Sequence, residues 1–312
     1  MNKIERVDHV LAGQKVDHPP LSMWYHFGIQ HGSGEQFARI SLEYFHHYDL
    51  DFLKVMNDYF YPAPEGLETI KSADGLKRLQ PFDIDKTDWR EQFKALKVIQ
   101  HDLDKKAYFI DTVFDPWQSI RRNMAGETIH DLMARYPDDL LSALDIVADN
   151  LIAYCRRSLE LGSAGIFLSI AAASEILSRD DFLKFVKPPT MKVFKAIKGL
   201  GKMNTIHVHG KNLFFNDCLD FPVDIFSWWD RGPNGPSLAS VKKKVSACVM
   251  GGIDQTIVCR KSPGFLREHV KEGIRLGGDH RFFLAGGCSI DGWTYPGTLR
   301  AIVETAKAAS AP

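Results

Sequence analysis

Short apolar runs recur along the chain, separated by stretches of helical period. The runs are Pro20–Tyr25, Asp51–Met56, Tyr108–Phe114, Gly165–Ile170, Met203–Val208, Val223–Trp228, Ala247–Met250 and Arg281–Ala285. Runs of this length, rich in Val, Ile, Phe and Trp, predict strands buried on both faces. Between them, apolar side chains fall on one helical face over Glu35–His47, Pro137–Leu161, Asp180–Leu200, Ser237–Lys244, Gly264–Leu276 and Tyr295–Ala309. The longest connection, Tyr59 to Lys106, carries an expected hairpin at Thr69–Leu79, turning at Asp74-Gly75, and a helix over Asp85–Asp104. Eight strands alternating with helices predict an α/β fold, a single (β/α)8 TIM barrel spanning residues 1–312 as one domain.

Composition narrows the class without changing the fold. The 312 residues are 45% hydrophobic and 25% charged, as expected of a water-soluble globular chain. Lys+Arg and Asp+Glu both total 39, so no net field favours nucleic acid or an anionic membrane, and neither is expected as a partner. The five cysteines, at 155, 218, 248, 259 and 288, are odd in number and widely spaced, which points to a reduced, cytoplasmic setting. Met1 to His9 has no apolar core of a signal peptide, and the most apolar window, Leu161 to Leu177, is interrupted by Ser169, Ser174 and Glu175.

A barrel places its chemistry at the C-terminal ends of its strands. Here those ends carry His26, then Asn57 and Asp58, then Asp115, Ser169, His207 and His209, Trp229 and Asp230, Asp254, and finally Gly287 and Cys288. In the fifth run, His207 and His209 are two residues apart in a strand and share a face. Two imidazoles and a thiolate from Cys288 make a three-ligand zinc set with a fourth position free. Plainer roles exist for several of these residues. Asp115 and Asp230 suit helix capping, Asp254 suits a turn after Gly251-Gly252, and Trp228-Trp229 suits packing.

The order of these landmarks resembles the uroporphyrinogen decarboxylase superfamily over nearly the whole chain. The matching segments are Val16-Asp17-His18-Pro19-Pro20, Val55-Met56-Asn57-Asp58, Pro116-Trp117, Ile176 to Phe182, His207-Val208-His209-Gly210, Gly251-Gly252-Ile253-Asp254 and Gly286-Gly287-Cys288. The resemblance implies a (β/α)8 barrel with a functional aspartate at Asp58. One branch of that superfamily decarboxylates uroporphyrinogen without a cofactor. Its arginine-rich segment is here Met23-Trp24-Tyr25-His26-Phe27-Gly28, its tyrosine aligns with Arg122, and its late histidine with Gly287. An anionic porphyrinogen needs cationic partners, so the chain is expected not to act on it.

The other branch comprises zinc-dependent transferases that move a methyl group from a corrinoid to a thiol, through His-x-Cys-Gly and a later Gly-Cys. This chain keeps His207, Gly210 and Cys288 and has His209 in place of the first cysteine. One thiolate fewer leaves the metal about one charge more positive, a stronger Lewis acid. The resemblance therefore implies a zinc-dependent methyl or alkyl transferase. Zinc is expected on His207, His209 and Cys288, with Glu175 as a candidate to complete the shell. Asp58 is expected to be catalytic and to face the same cavity. His26, Asn57, Arg122, Trp229 and Asp230 are expected around a small-molecule substrate. It also implies a corrinoid methyl donor carried on a partner protein. The alternative is a metal-independent decarboxylase or lyase that uses Asp58.

Overall fold

A computed structural model describes residues 1–29 and 31–309. Eight parallel strands form one sheet: β1 (Leu21–Ser22), β2 (Phe52–Val55), β3 (Tyr108–Phe114), β4 (Ile166–Ala171), β5 (Thr205–His209), β6 (Ile225–Trp228), β7 (Cys248–Ile253) and β8 (Phe282–Gly286). Every predicted run contains a strand. The ladder runs β1-β8-β7-β6-β5-β4-β3-β2, which curls into a nearly closed (β/α)8 barrel with helices outside. All eight strands are almost wholly buried, because side chains pointing out meet helices and those pointing in meet one another.

The ends of the ladder, β1 and β2, meet through one residue. Asp51 N donates to Leu21 O (2.9 Å), and Leu21 N donates back to Asp51 Oδ2 (2.9 Å). The other carboxylate oxygen accepts from Arg6 Nη1 (2.7 Å). Arg6 lies on the N-terminal helix Lys3–Leu11, a helix the periodicity did not predict. It also donates to both carboxylate oxygens of Asp17, each at 2.7 Å. That fork pulls the Asp17 carboxyl well below its ordinary range, against the effect of its partial burial.

Most predicted helices stand within a residue or two of their expected ends: Gly34–His47, Pro137–Glu160, Leu238–Lys242, Pro263–Gly277 and Pro296–Ala308. Three expectations need correction. The Thr69–Leu79 hairpin is instead a short helical turn, Ala73–Leu76. An Asp-Gly hairpin turn needs positive φ at glycine, and Gly75 is absent from the positive-φ positions. The stretch Asp85–Asp104 breaks into a 3-10 turn, Ile84–Lys86, and a helix, Trp89–Leu103, which ends at left-handed Asp104. Asp180–Leu200 is interrupted by a π-helical segment at Phe182–Val186, directly before Lys187-Pro188-Pro189, whose prolines cannot supply the N–H groups of a regular ladder.

Deleting Asp51 removes a buried ion pair with Arg6, which keeps only Asp17, and strips Leu21 N of its acceptor. Asp51→Ala is expected to lose roughly 3–5 kcal/mol of stability, read as a drop in the denaturant midpoint. An unchanged midpoint would show that the seam closes without it.

Candidate metal centre

Strand register builds the centre one layer at a time. Ser169 of β4 pairs with His207 of β5, which pairs with Ser227 of β6, so these three inward side chains lie side by side. The His207 ring stacks on Phe167 (centroids 5.2 Å, planes 24° apart), and its Nδ1 lies 3.1 Å from Ser227 Oγ. With Nδ1 occupied and the ring clamped, Nε2 is buried without a hydrogen-bond partner. An orphaned imidazole nitrogen costs free energy unless something binds it, and orientation by a hydroxyl at the other nitrogen is how metal-binding histidines are fixed. His209, the next inward residue, sits on the mouth side of His207, with ring centroids 5.7 Å apart.

Cys288 arrives from the opposite side of the barrel at the end of β8. Its Sγ lies 3.9 Å from His209 Nδ1. Ligand atoms of His207, His209 and Cys288 all lie within 4.8 Å of one another. Two glycines make the approach possible. At Gly210 (φ +132°) a Cβ would lie 2.1 Å from Ala173 Cβ, and at Gly287 it would lie 2.7 Å from Trp229 Cα. Burial opposes the Cys288 thiolate, but the two imidazoles beside it, His207 and His209, outweigh that and hold the thiol well below its ordinary value. The same contact raises His209 against the pull of burial, whereas burial lowers His207. A thiol biased toward its thiolate form together with an oriented imidazole is a donor set that suits zinc.

These three residues wall a cavity of about 180 Å³, shared with Trp24, His26, Lys54, Arg122, Phe167 and Ser169. A second chamber, of about 250 Å³, abuts it and is lined by Asn57, Asp58, Tyr61 and Trp89 among others. His26, Phe114 and Arg122 belong to both walls. Asp58 therefore lines the neighbouring chamber and not the metal cavity itself. It reaches that cavity through His26, whose Nδ1 makes a short hydrogen bond to Asp58 Oδ1, and its other oxygen is buried without a partner. Asn57 donates through Nδ2 to Tyr154 Oη (3.0 Å), leaving its own carbonyl oxygen unpaired.

Other expected site residues lie elsewhere. Trp229 donates Nε1 to Asp254 Oδ1 (3.1 Å), and Asp230 accepts from Gly252 N (2.9 Å); neither lines either chamber. Burial pushes the Asp230 carboxyl up to about 6. Asp254 holds its turn by accepting from Thr256 N and Oγ1, and Asp115 caps the helix Pro116–Ile120 at Gln118 N (2.8 Å). Glu175 accepts from the backbone amides of Lys211 and Asn212, so it pins the loop after β5 and stands outside the ligand group.

Lys54, Asp111 and the turn that carries Arg122 had no counterpart in the sequence reading. Lys54, in the middle of β2, is buried in the metal cavity; a charge inside the apolar run Asp51–Met56 was its signal. Burial lowers its amine to about 7. Arg122 stands on a π-helical turn, Arg121–Ala125, that continues the helix Pro116–Ile120. Behind β2, Asp111 gathers Tyr154 Oη (2.7 Å), Gln92 Nε2 (2.9 Å) and Thr112 N (2.9 Å), and burial pushes its carboxyl up to about 6.

Barrel, strand-end ligands and paired chambers together define an enzyme-type site at a (β/α)8 mouth. The chain belongs to the uroporphyrinogen decarboxylase (URO-D) family, whose profile matches residues 2–309. In structure it is similar to a methyltransferase from Methanosarcina mazei (TM-score 0.77, 18% identity, 98% of each chain covered). It is also similar to a B12-independent methionine synthase from Shewanella sp. W3-18-1 (TM-score 0.61, 12% identity, 94% of each chain). A third likeness is a putative vitamin-B12 independent methionine synthase from Listeria monocytogenes (TM-score 0.60, 13% identity, 94% of this chain and 97% of that one). At these identities the likeness is one of fold. A comparison with the curated proteins finds no match. Among the described residues, no helix is long and apolar enough to cross a membrane.

The Lys54 amine gives a pH test of the cavity. Its ordinary value is about 10.4, so between about 7 and 10 the unfolded chain holds a proton that the metal-free folded chain has released. Stability then rises with pH across that window, and the full penalty of the buried charge applies below it. Lys54→Met, an apolar chain of similar length, is expected to melt above the parent at about pH 6, with the gap closing toward pH 10. A variant less stable than the parent at low pH would show that the ammonium has a stabilising partner.

Proposed function

We propose that this protein is a zinc-dependent methyl or alkyl transferase of the URO-D superfamily. The observation that carries the reading is the buried, unpartnered Nε2 of His207, converging with His209 and the Cys288 thiolate on one small cavity. His207, His209 and Cys288 would hold the zinc, and bound zinc supplies Lewis-acid activation of an acceptor thiol or hydroxyl. Ser227 and Phe167 keep the His207 ring aimed. His26 takes up or returns the acceptor proton, and Asp58 orients its imidazole through Nδ1. Arg122 meets the substrate where the two chambers join, and Asn57 meets it from the second chamber. Trp229 and Asp230 support the rim from outside the chambers. The methyltransferase likeness favours group transfer, and a corrinoid protein is the donor this reading adopts. A metal-independent decarboxylase would retain Asp58 but leave the His-His-Cys group without a role.

Metal analysis of the purified protein should find about one zinc per chain, with Cys288→Ser and His207→Ala each lowering it sharply. Protein with little zinc, unaffected by Cys288→Ser, would falsify the metal assignment. Asp58→Asn is expected to slow methyl transfer from methylcobalamin to a small thiol by roughly a hundredfold or more with a nearly unchanged melting temperature. If the variant melts much earlier and keeps its specific activity, Asp58 is a structural residue. Uroporphyrinogen is expected to remain unconverted, because the segment after β1 carries no arginine, so any coproporphyrinogen formed would contradict the proposal.

A further inference from the structure

Two basic side chains share this cavity, and no carboxylate lines its wall. Lys54 has almost no exposure, and its Nζ has one hydrogen-bond partner, the thioether sulfur of Met56 (2.7 Å). Around it lie aromatic faces, Phe167 at 4.5 Å and Trp24 at 5.1 Å from Nζ to ring centroid. Among the described residues it forms no ion pair. Arg122 likewise has no hydrogen bond or ion pair there and rests on the Phe114 ring at 4.0 Å.

This fold treats a structural buried cation differently. Arg6 is held by two carboxylates, Asp17 and Asp51. Burying a charge costs heavily unless it is paired, so two unpaired cations facing one space mark a place where an anion arrives from outside. The nearby carboxylates stand off that wall, and the Cys288 sulfur on it lies against His209. Asp58 serves His26 from the next chamber, Asp111 is bound behind β2, and Asp115 accepts from Gln118 N and Ala171 N. The cavity, about 180 Å³, admits only a compact group, on the order of six water volumes.

We propose that Lys54 and Arg122 form a two-cation seat for a carboxylate of the substrate, within the cavity walled by His207, His209 and Cys288. The seat deepens the transferase reading by giving its small-molecule substrate a charge and a size, and that part rests on the reading. The binding of a carboxylate can be tested without it.

Propionate and its neutral counterpart propionamide are the probes, titrated calorimetrically at about pH 6, where the Lys54 amine is protonated, into zinc-free and zinc-loaded protein. Propionate should bind at least about tenfold more tightly than propionamide in both forms. Lys54→Met and Arg122→Met should each abolish the preference. Equal affinities, no measurable binding of either probe, or a preference that survives in either variant overturns the seat. A preference seen only with zinc loaded places the carboxylate on the metal and also overturns it. Lys54→Met puts an apolar chain among aromatic neighbours; should it fail to fold, Arg122→Met alone decides. Zinc content is measured separately, so a chain that binds no zinc but prefers propionate loses the metal reading and keeps the seat.

Discussion

The contact on which the site depends lies at the opposite end of the barrel from the chemistry. A parallel sheet of eight strands must join its first strand to its second to close, and here β1 is two residues long and shares no ladder with β2. Asp51 performs the closure with its backbone and its carboxylate, and Arg6 prevents that buried carboxylate from standing alone. Everything past β1 and β2 inherits its position from this seam. His26 follows β1 and Asp58 follows β2, and they meet only because the two strands do. A barrel splayed at this point would keep its core and lose the pair.

Polar groups are sorted by strand parity. On β3, Asp111 points outward to Tyr154 and Gln92, while Thr112 and Phe114 wall the metal cavity. The outward network reaches the site indirectly. Tyr154 receives Asn57, and Gln92 donates to Met56 O (3.2 Å), so the end of β2 is tied to two helices just before Asp58. Such networks are costly if half satisfied. This one pairs most of its groups, leaving the Asn57 and Gln92 carbonyl oxygens free. Asn57 itself lines the second chamber.

Strand positions were legible because a strand buried on both faces is mostly apolar, and stretches of helical period separate the runs. The His-x-His pair followed from period two alone. Cys288 required the topology as well, since 78 residues separate it from His209 and only closure of the barrel brings them together. Other features were hidden for physical reasons. Lys54 reads as an ordinary lysine until its neighbours are known, because burial is a property of the assembled interior. The π turn that presents Arg122 leaves no periodic signature in five residues. Asp74-Gly75 reads as a hairpin turn, yet no strand lies beside it and helical φ serves glycine equally well. Trp229 and Asp230 stand at a strand end like true site residues, but the chain turns them toward Asp254 and Gly252.

With His209 where the proposed ligand set would otherwise carry a second thiolate, the electrostatics of the whole cavity shift toward positive charge. Two neutral imidazoles and one thiolate would leave bound zinc with a net charge of about +1. Lys54 and Arg122 add to that positive field, and the thiolate of Cys288 is the one anion on the cavity wall. In a space with few waters and a low dielectric such an excess is unfavourable. A negative substrate would relieve it twice, by pairing the two cations and by moderating a bound metal. The aromatic faces of Trp24 and Phe167 hold the Lys54 ammonium meanwhile at modest strength, since cation–π contact gives roughly 0.5–2 kcal/mol, less than a carboxylate gives. The cavity thus keeps its cation available and exchanges a weak partner for a strong one when substrate enters.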